Sequence, residues 1–525
     1  MVTHYWAAVA SIATVCVFFW LTYTKRRPGH RLPPGPRGLP LIGNLHQFPS
    51  SLARSTFDAW HKQYGPIVGL SLGQRPVIII GSASIANELF AKRGRIYSSR
   101  PRMVMALENL SHGMHTVFLP YGPQWRAHNR IHKTILAPSK ALHFHELLEA
   151  ETKLTLRDLL HGKDWNQSIV RFTSSVVYSL AYGQRLQGDE PEIREMSDFV
   201  EETMRAISGS WLVDILPIIN ELPSLINPWK RFGSRFHQQA MRIFAESSRH
   251  AIRTPGWNFT KHVQTKERTG NFSDEELLYI VGVLFQAGID STSTAFRYCI
   301  LACILHRDKV MKAQQELDAV VGKDRLPGLD DIAELPYTKA FINEVLRWRP
   351  ITVGSLAHCS SEHDTFTGYD IPKDSVIILN HWSVVMNTDT YGPDAASFRP
   401  ERWIEDPKLP LLAFGCGRRA CSGQYLAQKE LEILIPSILW AFDIEVGSAD
   451  GMELNLDPWN LLEIGGLLRP PPFPASFIPR DKERRALIEL ILHQSSTSHS
   501  WFNLIPAFFP KIAIIYNLIS ILPPD

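Results

Sequence analysis

Apolar residues recur at helical spacing through most of the chain between about residues 48 and 480. MKAQQELDAVV (311–321) places its apolar side chains on one face of a helix. QYLAQKELEILIPSILWAF (424–442) has the spacing of a buried helix. Strand signals are short: VIII (77–80) before Gly81 reads as a buried strand, and TFTGYDIPKDSVIIL (365–379) has β-branched runs around the turn residues Gly368 and Pro372. No internal repeat or low-complexity tract interrupts the pattern. The chain is therefore expected to be mainly α with small β-sheets.

Both ends depart from this pattern. Residues 5–23, YWAAVASIATVCVFFWLTY, carry no formal charge, and as a helix at ~1.5 Å per residue they extend roughly 28 Å, close to a bilayer core. A cleaved signal peptide is the rival reading, but MVTH carries no Lys or Arg and no small-x-small site precedes the basic cluster. Residues 5–23 are thus predicted to be one N-terminal transmembrane helix. Lys25, Arg26, Arg27, His30 and Arg31 follow it, which leaves residues 1–4 luminal and the body in the cytosol. Pro33, Pro34 and Pro36 make 24–44 a basic, Pro-rich hinge. At the other end, residues 481–525 form an atypical tail. It opens on the charged run DKERR and includes an apolar stretch at 501–522, broken by Pro506, Pro510 and Lys511, that dips into a membrane surface, spans poorly or stays disordered.

Composition narrows the function classes. The 525 residues hold 55 Lys+Arg against 52 Asp+Glu, a net charge of +3, which argues against a nucleic-acid binder. With 45% hydrophobic residues there is material for a large core. The six cysteines (16, 299, 303, 359, 416 and 421) show no paired spacing, which favours a reducing compartment. Sequons occur at Asn109, Asn166, Asn258 and Asn271; in a cytosolic body they are chance matches.

The sharpest local signal is FGCGRRACSG (414–423), a glycine-rich loop running into the helix pattern that starts at Gln424. A cysteine there, Cys421, meets unpaired N–H groups and the positive helix end, which favour a thiolate. Gly417 and Gly423, lacking Cβ, let backbone approach a flat ligand. Taken alone, the segment also suits a core cysteine in a turn.

This segment resembles the cysteine-ligand signature of the cytochrome P450 family, F-x-x-G-x-R-x-C-x-G, at Phe414, Gly417, Arg419, Cys421 and Gly423. Four more motifs follow family order: WR at Trp125 and Arg126, AGIDST (287–292), EVLR (344–347) and FRPERW (398–403). The likeness covers about residues 32–480 and implies the P450 fold, with 45–480 as a haem-thiolate catalytic domain. YGPQWRAH and FRPERW are similar to fungal microsomal members of secondary metabolism, such as the O-methylsterigmatocystin oxidoreductase-like group.

The resemblance implies roles residue by residue. Cys421 is the axial ligand of haem b, and Cys416 a packing cysteine. Asp290, Ser291 and Thr292 form the oxygen-activating relay, with Ser291 where the family usually has threonine. Glu344, Arg347 and Arg402 brace the cysteine side. Arg100, Trp125, Arg126, His358 and Arg419 hold the haem propionates, with Arg130 as a weaker candidate and Asn129 where the family often has arginine; Phe414 and Gly423 border the haem. His128 with His132, and His112 with His115, lack the carboxylate or Cys support a metal site needs. Substrate-contacting regions map to about 102–120, 207–229, Phe285, 351–356 and 463–467, and their apolar character favours a lipophilic substrate reached from the membrane side. Glu463 is a candidate partner for a basic nitrogen, and residues 211–219 for dipping into the interface.

The leading expectation is an O₂- and NADPH-dependent monooxygenase in the endoplasmic reticulum membrane. It would be fed by a separate NADPH–cytochrome P450 reductase, with cytochrome b5 as a second candidate donor. A haem-thiolate desaturase, coupling enzyme or isomerase that inserts no oxygen is the alternative, and a membrane-anchored haem sensor the third. The relay motif argues for the first.

Overall fold

The computed structural model describes residues 31–49, 53–187, 191–208, 212–266, 272–448, 455–464 and 466–497. The apolar runs at 5–23 and 501–522, Trp211 and Asn271 lie outside the described residues. Among the described residues no helix is long and apolar enough to cross a membrane.

Helices dominate and the sheets are small. Strands β1 (Ile67–Leu72), β2 (Arg75–Ile80), β3 (His358–Cys359), β4 (Asp364–Phe366), β5 (Tyr369–Ile371) and β6 (Val376–Leu379) include both predicted strand segments. One sheet has the order β1-β2-β6-β3, with β2 antiparallel to β1 and parallel to β6. Thr367 and Gly368, both at positive φ, turn β4 back onto β5. Residues 311–321 fall almost wholly within the helix Arg307–Val320, as their periodicity predicted.

Seven helices build and brace the site: α1 (Pro123–Ile135), α2 (Ala141–Leu160), α3 (Trp165–Tyr182), α4 (Asp274–Leu305), α5 (Pro336–Trp348), α6 (Gln424–Ala441) and α7 (Lys482–Thr497). The long α4 is apolar nearly all round and largely buried, as a helix at the centre of a large core must be. Ser273 caps its start by accepting from the Glu276 N–H at 3.1 Å, and Asp274, Glu275 and Glu276 place negative charge at its positive end. Edge-to-face pairs hold α4 against α3: Phe172 with Phe296 at 5.8 Å and Tyr178 with Phe285 at 5.7 Å. The charged run after residue 480 opens α7, where Ile488 and Arg484 are buried and Asp318 takes both Arg480 and Arg484.

Two sequons are disposed of by packing, because Asn109 and Asn258 are both buried. The Asn166 Oδ1 accepts from Arg297 Nε at 2.7 Å.

Candidate active site

A cavity of about 400 Å³ opens between the 414–423 loop and the middle of α4. Cys421, Phe414 and Gly423 border it on one side and Ala287, Gly288, Ser291 and Thr292 on the other. The loop is fixed by backbone: the Cys421 N–H donates to Phe414 O at 2.9 Å. Gly417 sits at φ +71, and a Cβ there would lie 2.0 Å from Phe90 O, so this glycine serves a close approach of protein to protein rather than to a ligand. At Gly423 a Cβ would meet only Cys421 Sγ, at 3.8 Å. The space beside the sulfur is open on that side.

Cys421 is exposed to this cavity rather than to bulk water, and burial by the surrounding protein pushes its thiol up. The N–H groups of Gly423 and Gln424 pull the other way, as a helix start should, but burial outweighs them. In the protein alone the loop therefore holds a thiol, and a bound cation is what would complete the thiolate. Cys416 is half-buried, its Sγ 3.7 Å from Ala86 O, and burial pushes it up to about 11, in keeping with packing.

One edge of the cavity is cationic. Arg100 is buried, with Nη1 donating to Leu356 O at 2.6 Å and Ala357 O at 2.9 Å. Arg419 donates to Ser98 O at 2.8 Å and Leu119 O at 2.7 Å and lies 4.2 Å over the Trp125 ring, while its buried Nη1 has no partner. Burial, then the nearby Arg419, holds Arg100 well below the usual guanidinium range, and burial brings Arg419 down to about 10. Among the described residues neither has a carboxylate partner. His358 donates from Nδ1 to Tyr97 O at 2.6 Å, and burial together with the Arg100 charge lowers it to about 3. It is thus neutral, with Nε2 an acceptor until an anion arrives.

The remaining expected site residues divide. Trp125, His358, Arg100, Arg419, Ser291 and Thr292 border the cavity. Arg126 and Arg130 are exposed on α1 and do not, because Trp125 takes the inward phase of that helix. Asp290 does not line it either; its charge acts on Arg297. Ser291 Oγ donates to Ala287 O at 2.8 Å. Glu463, on the strand Leu462–Ile464, is not among the lining residues.

The imidazoles of α1 join it to α4: His128 Nε2 donates to Glu276 Oε1 at 2.7 Å and His132 Nε2 to Ile280 O at 2.9 Å. No metal-binding cluster of His, Cys, Asp and Glu occurs among the described residues.

Glu344, Arg347 and Arg402 form a buried network. Glu344 accepts from Arg347 Nη2 at 2.7 Å and Nε at 2.8 Å, from Arg402 Nε at 3.2 Å, from Arg399 N at 2.8 Å and from Trp403 Nε1 at 2.9 Å. Arg347 in turn ties down the carbonyls of Val385, Ala395 and Ser397.

One carboxylate on the cavity wall was not expected. Glu430, on α6, is 1% exposed, borders the cavity, and has an Oε1 without a partner. Burial pushes it up to about 8, and its hydrogen-bonding neighbour is Thr292.

The family model for Cytochrome P450 matches residues 33–476. The chain belongs to the cytochrome P450 family. It is 46% identical over 464 residues to the cytochrome P450 monooxygenase astF of Aspergillus oryzae, covering 88% of each chain. It is 41% identical to the cytochrome P450 monooxygenase aneD of Aspergillus aculeatus, over 89% of this chain and 91% of that one. With fumitremorgin C synthase of Neosartorya fischeri it shares 34% identity, over 91% and 94%. A solved zebra fish cytochrome P450 with abiraterone superposes with a TM-score of 0.68 at 22% identity, covering 82% of this chain and all of that one, which shows the shared fold. The protein is a P450 monooxygenase, and membership implies a haem iron cofactor.

The residues present fit that group. Cys421 supplies a soft ligand. Arg100 and Arg419, two guanidiniums with no carboxylate partner among the described residues, and the orphaned Arg419 Nη1 suit a ligand carrying two carboxylates.

Proposed function

We propose that this P450 binds haem b through Cys421 and uses O₂ and NADPH-derived electrons to oxidise a lipophilic intermediate of fungal secondary metabolism, a polyketide, alkaloid or terpenoid. Thiolate-ligated haem, when bound, supplies an oxidant strong enough for unactivated C–H bonds. The chain's own residues do the rest. Arg100, Trp125 and Arg419 hold the propionate edge, joined by His358 once it is protonated. Ser291 and Thr292 face the reacting space, and the Glu344–Arg347–Arg402 network keeps the cysteine loop in place.

The observation that carries this reading is the placement of Cys421 and the Ser291–Thr292 hydroxyls on opposite walls of one cavity, with the guanidinium pair at its edge. Apolar lining side chains such as Val283, Leu284 and Ile351 support a lipophilic substrate. Electrons come from a separate NADPH–cytochrome P450 reductase, with cytochrome b5 as a second donor. The location is the endoplasmic reticulum membrane, single-pass, with the catalytic body cytosolic. Exposed Leu212, Ile215, Leu216 and Ile218 support contact with that membrane.

The test is turnover in reductase-containing microsomes given precursor extract and ¹⁸O₂. One labelled oxygen per product, dependent on NADPH, is expected. An unlabelled product would instead mean desaturation, coupling or isomerisation.

A further inference from the structure

Two residues of the loop 113–120 border the cavity, Thr116 and Val117. Thr116 and Phe118 are buried, and Val117 between them is 37% exposed. The Val117 carbonyl accepts from Arg100 Nε at 3.1 Å, so this residue stands beside the cationic edge of the cavity. A second set of contacts holds the same loop. Thr116 Oγ1 lies 2.9 Å from His128 Nδ1, and His128 Nε2 lies 2.7 Å from Glu276 Oε1 in the first turn of α4. Gln124 Nε2 meets the same Glu276 oxygen at 2.8 Å and Gly113 O at 3.3 Å.

The direction of each bond in this chain follows from its partners. A backbone carbonyl only accepts, so the atom facing Gly113 O is the amide nitrogen of Gln124, and the Glu276 oxygen that it also meets is an acceptor. His128 therefore carries its proton on Nε2. Burial lowers the His128 pKa, which leaves the imidazole neutral and Nδ1 bare. Thr116 must then donate its hydroxyl proton to Nδ1. The His128 ring is fully buried, so losing that hydroxyl leaves Nδ1 unpaired, a costly state.

We propose that Thr116, His128 and Glu276 are positioning residues that set Val117 in the cavity wall, so that the first turn of α4 fixes which ligands fit. Val117 selects by bulk, and the chain decides where that bulk stands. The ligand sorted in this way is a lipophilic molecule whose width, rather than a polar group, decides its fit here. The loop has one hydroxyl, Thr116, and its proton is committed to His128. The inference rests on the haem-thiolate reading above, which puts the reacting centre in this cavity.

The test uses the full-length holoenzyme and two ligands of the ferric iron, imidazole and 4-phenylimidazole, which need neither substrate nor reductase. Imidazole is the small reference, and the phenyl ring of the other ligand reaches further into the cavity. The ratio of their dissociation constants, read from Soret titrations, reports where Val117 stands, and the CO difference spectrum is recorded alongside. Val117→Ala should change the ratio by about 10-fold, the effect of small changes in bulk within a fitted pocket. Thr116→Val, which keeps the shape and removes the hydroxyl, and Glu276→Leu should shift it in the same direction, whereas Thr116→Ser should keep the wild-type value. Combined with Val117→Ala, Thr116→Val should add little, since both act on one side chain. A wild-type ratio in Val117→Ala, Thr116→Val or Glu276→Leu overturns the proposal. So does an equal shift in Thr116→Ser, or a double variant that sums the two single effects. If Glu276→Leu fails to take up haem, the two Thr116 variants decide. A wild-type protein without a thiolate-type spectrum would overturn the haem-thiolate reading instead.

Discussion

Arg100 and Arg419 are tied to carbonyls two residues apart, Arg100 Nε to Val117 O at 3.1 Å and Arg419 Nη2 to Leu119 O at 2.7 Å. One loop thus holds two cations close enough that the Arg419 charge adds to the larger lowering that burial imposes on Arg100. Such a pair is costly without an anion and becomes favourable with one. Arg419→Leu should lower haem affinity by roughly 1.5–3 kcal/mol, or about 10- to 150-fold, the loss of a charge-assisted hydrogen bond. Haem transfer to apomyoglobin measures it, and an unchanged transfer rate would contradict the assignment.

Glu344 is fully buried and accepts from five N–H donors, three of them on the Arg347 and Arg402 guanidinium groups. Removing one partner from such a network costs about 3–5 kcal/mol, because the remaining charges stay buried. Glu344→Ala should therefore lose most soluble holoprotein, whereas Glu405→Ala, at a 60% exposed carboxylate on Arg399, should stay close to wild type. Thermal unfolding and soluble yield compare the two.

Gly417 and Gly423 separate folding from ligand space. Gly417→Ala must move the Phe90 backbone and strain a left-handed φ, so it should impair folding. Gly423→Ala meets nothing but sulfur at 3.8 Å, so stability should change by less than about 1 kcal/mol while haem binding suffers. Urea unfolding and haem content, read on both variants, check this.

Acid should destabilise the fold early. Burial holds His115 and His358 down to about 3 and His132 and His381 to about 4, so each stays neutral where an unfolded imidazole is protonated. Their contribution is present above about pH 6.5 and is lost as pH falls toward the folded values. Glu430, raised to about 8, holds a proton the unfolded chain has released and offsets one of the four. About three more protons on the unfolded chain give a slope of roughly 4 kcal/mol per pH unit near pH 5. Urea midpoints of the haem-free protein should drop steeply between about pH 6.5 and pH 5, and a flat profile there would show these imidazoles to be accessible.

Much of this was legible in the sequence because it is local. The 414–423 loop, the E-x-x-R pair three apart on a helix and the β-branched runs at 77–80 and 365–379 each state their own geometry. What was not legible is the phase of a helix against its neighbours. On α1 the motif names Trp125 and Arg126 together, but adjacent residues point about 100° apart, and only Trp125 turns inward. The same rotation takes Asp290 toward Arg297 and leaves Ser291 and Thr292 on the cavity. Glu430 was hidden for the opposite reason: within QKELE it reads as one more charge on a solvated face, and only packing against α4 shows it buried.

The central claim is that Cys421 ligates the haem iron, and the reduced CO difference spectrum tests it most directly. Wild type and Cys416→Ala should both give the thiolate-type band, and Cys421→Ala should lose it. A thiolate-type band that survives in Cys421→Ala would contradict the account.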